Sequence, residues 1–238
     1  MIFRIHLPLE LWNIIFDSNL RCLDLKQQIR FIQICKTIKD NIFVTDLCNI
    51  DDKLKYKLNG YIIRKYPNIK KLYASSKCCC CCCQIEDHDL VGLNLVELNA
   101  NNNKKIKKIN HMTNLRILYA SWKCGIDDDS LISTFGGLNL VKLNAWNNPK
   151  IKKINHMTNL RILNASYNCG IGDDDLVGLN LIELDAAGNK KIKKINHMTN
   201  LRILNASDNC GIGDDDLVGL NLVELDARYN PKIKKWII

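Results

Sequence analysis

Apolar positions recur along most of this chain in one cadence. From Ile69 onward the pattern L-x-x-L-x-A-x-x-N-x-x-I repeats, with first positions at Ile69, Leu95, Leu115, Leu140, Leu160, Leu181, Leu201 and Leu222. Spacings are 20 and 21 residues in the regular part and stretch to 26 after Ile69 and 25 after Leu115. Two units make a longer period that settles at 41 residues: "LNLIELDA" at Leu179 returns as "LNLVELDA" at Leu220. The fourth and sixth positions, such as Leu184 and Ala186, are apolar with period two, so both face one side of a short strand. Successive strands are expected to stack in parallel about 4.8 Å apart. No single unit can bury its apolar face alone, so stability must come from neighbours.

This pattern closely resembles the leucine-rich repeat, whose period is about 20–29 residues. The resemblance implies an α/β leucine-rich-repeat solenoid. Short parallel strands line its concave face, and turns or short helical turns fill the convex face. The ninth-position Asn, as at Asn189, is expected to turn the chain and to satisfy buried backbone groups on rung after rung. Lys77 and Lys123 replace it on two early rungs.

The two half-repeats differ on the convex side. One carries "KKIKKI" or "PKIKKI" (Lys104, Pro149, Lys190), the other "GIDDD" or "GIGDDD" (Gly125, Gly170, Gly211). Basic and acidic rungs should therefore alternate, which avoids a self-repelling column of one sign. The formal charge of +9 invites a nucleic-acid reading, but 11 Lys/Arg and 7 Asp/Glu precede Pro67 and 23 and 18 follow from Ile69, so no half is basic. A solvated, self-neutralising face is the simpler reading, and nucleic acid is not expected as a partner.

Because the repeats are nearly identical, the positions that differ stand out. They are the seventh and eighth, which follow the strand on the concave side, joined there by the third and fifth. Concave strand surfaces are where solenoids bind, and Trp, Tyr and Arg dominate interface energetics. The candidate substrate-binding residues are Tyr119, Trp122, Lys142, Trp146, Tyr167, Glu183, Glu224 and Tyr229. The competing reading is that duplicated units simply drifted at these sites.

The first 45 residues do not follow the cadence. Leu7-Pro8 opens a helical pattern with Glu10 near its positive end, and Leu11, Ile14 and Ile15 share one face. A turn at Asp17-Ser18-Asn19 follows, then Ile29, Ile32 and Ile38 continue helically, giving a small three-helix unit. "LPLELWNIIF" resembles the opening of an F-box, and "IQICKTIKD" resembles its later hydrophobic-Cys-basic segment. Ile38 stands where many F-boxes carry Trp, and "DLKQQIRF" is a looser match. The whole chain resembles the F-box/leucine-rich-repeat proteins encoded by giant DNA viruses. That resemblance implies an F-box-like unit over 1–45, a linker or degenerate capping repeat over 46–68, and a solenoid of about eight repeats over 69–238. In that family the F-box docks on a Skp1-like adaptor protein within a cullin-based ubiquitin ligase, and the repeats hold a protein substrate. Leu7, Pro8, Leu11, Ile14, Ile15 and Cys35 would then line the adaptor interface. A repeat scaffold with no ligase role, its N-terminal helices serving only as a cap, is the alternative.

Chemistry changes this picture little. There is no nucleophile–base pair, Gly-rich phosphate loop or paired metal spacing, so neither catalytic nor metal residues nor a cofactor are expected. "GIGDDDL" lacks the spaced ligands of a calcium loop. His111, His156 and His197 share one register on rungs about 10 Å apart, too far to share an ion. No stretch has the roughly 18 apolar residues of a membrane helix and no leader is evident, so an intracellular protein is expected, cytoplasmic or nuclear and in the host cell if viral, with its 12 cysteines mostly free. In the six-cysteine run, Cys83 aligns with Cys210 and the other five are an inserted loop; zinc held by a subset with His88, or lipidation, are its alternatives. "KIKKWII" stops mid-repeat, with Trp236 in the register of Ile195, leaving a last rung that is exposed, docks, or marks a truncated gene.

Overall fold

The computed structural model describes residues 46–47, 60–63, 69–75, 85–132 and 138–234. The three-helix unit expected over 1–45, with its adaptor residues Leu7, Pro8, Leu11, Ile14, Ile15 and Cys35, lies outside the described residues, as does Cys78 to Cys83.

Among the described residues nine short strands form one sheet in chain order, every pair parallel and without a crossover. They are β1 (Asp46–Leu47), β2 (Lys71–Tyr73), β3 (Glu97–Asn99), β4 (Ile117–Tyr119), β5 (Lys142–Asn144), β6 (Ile162–Asn164), β7 (Glu183–Asp185), β8 (Ile203–Asn205) and β9 (Glu224–Asp226). The described residues thus form an all-parallel solenoid with little helix, compatible with a leucine-rich repeat. β1 pairs with β2 from within the 46–68 segment. Fourth-position leucines stay in register, Leu143 beside Leu163 beside Leu184. They form one continuous core with the first-position Leu, the sixth-position Ala and the twelfth-position Ile. Convex turns are single helical turns, Asp173–Leu176 and Asp214–Leu217 among them.

The ninth-position Asn is not used on every rung. Asn103, Asn148, Asn189 and Asn230, all in the basic half-repeats, are buried. In the acidic half-repeats Asn168 and Asn209 are exposed, like Lys123, and the tenth-position Cys124, Cys169 and Cys210 fill the interior instead. Burial pushes the Cys124 and Cys169 thiols up to about 11, the character of inert packing residues.

Two different joints therefore alternate. From an acidic rung to the next basic one, the buried Asn reaches back. Asn148 Nδ2 donates to Ala120 O at 2.8 Å and Ile126 O at 3.1 Å, and its Oδ1 accepts from Lys150 N at 3.1 Å. On the convex side Asp173 Oδ1 accepts from Lys193 N and Lys194 N at 2.6 and 2.9 Å, and Asp128 repeats this with Lys152 and Lys153. The alternating charges do more than neutralise: a carboxylate of one rung caps backbone N–H groups of the next. From a basic rung to the next acidic one, close approach takes over. A Cβ on Gly170 would lie 2.3 Å from Ile151 O, and Gly211 stands equally close to Ile192 O. Only glycine fits there.

Candidate protein-binding face

Third- and fifth-position side chains point away from the core, onto the open face of the sheet, because their fourth-position neighbours point in. Most fifth positions serve the fold. Asn144, Asn164 and Asp185 each accept, through Oδ1, the backbone N–H two residues on, at Trp146, Ser166 and Ala187. This Asx turn swings the chain off the strand. Tyr119 cannot do so, and Asn101 of the preceding rung supplies the acceptor for Ser121 N at 2.9 Å. Tyr119 instead offers its ring to Lys142, whose Nζ stands 5.7 Å from the ring centroid.

The eighth position is left-handed on successive rungs. Asn102, Trp122, Asn147, Tyr167, Gly188, Asp208 and Tyr229 have φ between 51° and 65°. Each of the first six donates its N–H to the seventh-position carbonyl of the next rung, as Trp122 N does to Trp146 O at 2.9 Å. Gly and Asn suit this conformation; an aromatic residue there is strained by about 1 kcal/mol or more. Trp122, Tyr167 and Tyr229 occupy it nonetheless, and they are 45%, 47% and 83% exposed.

Two of these aromatics, Trp122 and Tyr167, form a row with the seventh-position Trp146 across consecutive rungs. The rings of Trp122 and Trp146 meet edge to face at 5.1 Å, and Trp146 meets Tyr167 at 6.2 Å. The Tyr167 ring lies over Gly188, where an added Cβ would fall 3.0 Å from Cδ1. It thereby spans a rung and donates its hydroxyl to Asp208 Oδ2 at 2.6 Å. That donation to a carboxylate raises the pKa of Tyr167.

Of the candidates, Tyr119 and Lys142 come together, as do Trp122, Trp146 and Tyr167. Glu183 is half-buried on β7, Glu224 is exposed on β9, and Tyr229 stands at the end of the described rungs. Arg228 beside it is chelated by Asp226, with contacts of 2.7 to 3.2 Å that hold the Asp226 carboxyl below its ordinary range. Burial first, then Glu183, Asp226 and Asp208, raise the pKa of Asp185. The sequence marks Gly188 and Asp208 as variable eighth-position residues but not as candidates; the path of the Tyr167 ring reveals their part. Among the described residues no group of three or more His, Cys, Asp or Glu is arranged to hold a metal ion. No described helix is long and apolar enough to cross a membrane.

No family model matches the chain, and no curated protein matches it. Among solved structures it is similar to a chain in the crystal structure of the Rad7 and Elc1 complex in yeast, at a TM-score of 0.50 and 16% identity. The match covers 74% of this chain and 52% of that one, so this chain spans about half the length of its structural neighbour. The likeness is one of fold.

Proposed function

We propose that this protein is a non-catalytic substrate-recognition adaptor of a cullin-based ubiquitin ligase. Its repeats bind a target protein through the open face, and its N-terminal F-box-like unit docks on a Skp1-like protein. The observation that carries the binding role is the row Trp122–Trp146–Tyr167, in which Trp122 and Tyr167 lie exposed in left-handed turns that Asn or Gly would fill more comfortably, with the half-buried Trp146 between them. Stability does not call for them, and interface energetics does. The adaptor role rests on the resemblance of "LPLELWNIIF" and "IQICKTIKD" to F-box segments. It is supported by a fold neighbour whose crystal structure is a complex of Rad7 with Elc1.

Co-purification tests both halves. The wild-type chain should retain a Skp1-like protein, and Leu11→Asp should lose it. Trp122→Ala/Trp146→Ala should keep that adaptor while losing the bound target. Absence of a Skp1-like protein from both wild type and Leu11→Asp would remove the ligase role, and full retention by Leu11→Asp would remove Leu11 from the adaptor interface; unchanged target binding by the double variant would remove the aromatic anchors.

A further inference from the structure

The open face is electrically divided. On β2 to β6 its third, fifth, seventh and eighth positions carry Lys71, Glu97 and Lys142, and Lys71 is paired with Glu97 at 3.7 Å. On β7 to β9 the same positions carry Glu183, Asp185, Asp208, Glu224 and Asp226 against a single guanidinium, Arg228, already chelated by Asp226. Five carboxylates less one cation leave −4 over three rungs, on a chain whose overall charge is +9. The aromatic row runs directly into this patch, since the Tyr167 hydroxyl donates to Asp208. Ile203 lies exposed between Glu183 and Glu224, and Tyr229 closes the far side.

Resting on the protein-binding reading above, we infer that the β7–β9 end of the open face seats an extended arginine- or lysine-bearing segment of the target protein. Three features favour this occupant. The charge is complementary. The carboxylates are spread over three rungs about 5 Å apart rather than converging on one point, which suits several cations on a strand more than one metal ion. Exposed tyrosine rings beside carboxylates give a guanidinium both an ion pair and a π face. Alternate side chains of an extended segment stand about 7 Å apart, within reach of carboxylates on neighbouring rungs.

The test uses the full chain and two fluorescein-labelled heptapeptides, Gly-Arg-Gly-Arg-Gly-Arg-Gly and its counterpart with glutamate for arginine, read by anisotropy. The arginine peptide should bind at least tenfold more tightly than the glutamate peptide. Its affinity should fall severalfold between 50 and 200 mM salt. Glu183→Gln/Asp208→Asn/Glu224→Gln should weaken it about tenfold, with an unchanged circular-dichroism melt; Asn is already accepted at the left-handed position on other rungs. Equal binding of the two peptides, or full affinity in the triple variant, overturns the inference. If the triple variant keeps the target and Trp122→Ala/Trp146→Ala loses it, the cation seat falls and the binding face stands. If neither variant loses the target, both fall.

Discussion

At the residue scale, one letter has two fates. Asn148 and Asn168 hold the same ninth position on adjacent rungs, yet the first is buried and the second exposed. Removing Asn148 orphans two carbonyls, Ala120 O and Ile126 O, and one N–H, Lys150 N. Each buried orphan costs about 1–3 kcal/mol. Asn148→Ala should therefore cost roughly 3 kcal/mol or more in urea unfolding, and Asn168→Ala less than about 0.5 kcal/mol. Equal losses would mean that the alternation is wrong. This distinction was not legible in the sequence, because both half-repeats show Asn at that position and the interior decides between it and the following Cys. The strain at Trp122, Tyr167 and Tyr229 was equally hidden. Their variability marked them, but the left-handed backbone that makes them costly appears only in three dimensions.

At the element scale, the rung is incomplete without the next one, and the two kinds of joint are not interchangeable. Acidic-to-basic joints depend on a buried Asn, an Asp that caps two lysine N–H groups, and a lysine ammonium on a cysteine carbonyl, as Lys191 Nζ makes to Cys169 O at 3.1 Å. Basic-to-acidic joints depend on glycine. Asp173→Ala should destabilise the protein by about 1.5–3 kcal/mol, the range of a charge-assisted bond. Asp174→Ala, at an exposed neighbouring position, should leave stability within about 0.5 kcal/mol. Thermal melts of the two variants check this, and Asp173→Asn, which keeps the acceptor, should lie between them. The sequence reading of the convex face as alternating charge was right in arrangement and incomplete in cause. A carboxylate accepting backbone N–H groups looks, in one dimension, the same as one neutralising lysines.

At the scale of the whole molecule, the pair of joints is the physical content of the 41-residue period. Each strand pairs only with its neighbours in chain order, so the solenoid behaves as a one-dimensional array. Excising 160–200, one full period, joins Asn159 to Leu201 and restores the same kind of joint. The product should melt cooperatively. Excising 160–180 alone would set two basic rungs together, facing Asn189 with no acidic partner rung and Lys193 and Lys194 with no aspartate. That product should lose its cooperative melt in circular dichroism. Comparable melts for the two would show that the joints are equivalent.

The sequence by itself determined the solenoid: its rung length, its strand positions, its core residues and the open face on which the variable side chains sit. A repeated apolar pattern allows few ways to bury itself, and stacking in parallel is the one that 20 or 21 residues permit. Tertiary structure alone decided which Asn is buried and how Tyr167 crosses Gly188 to reach Asp208. Those outcomes depend on contacts between residues about 20 to 41 positions apart. No local pattern encodes them, because they exist only once one rung lies against another.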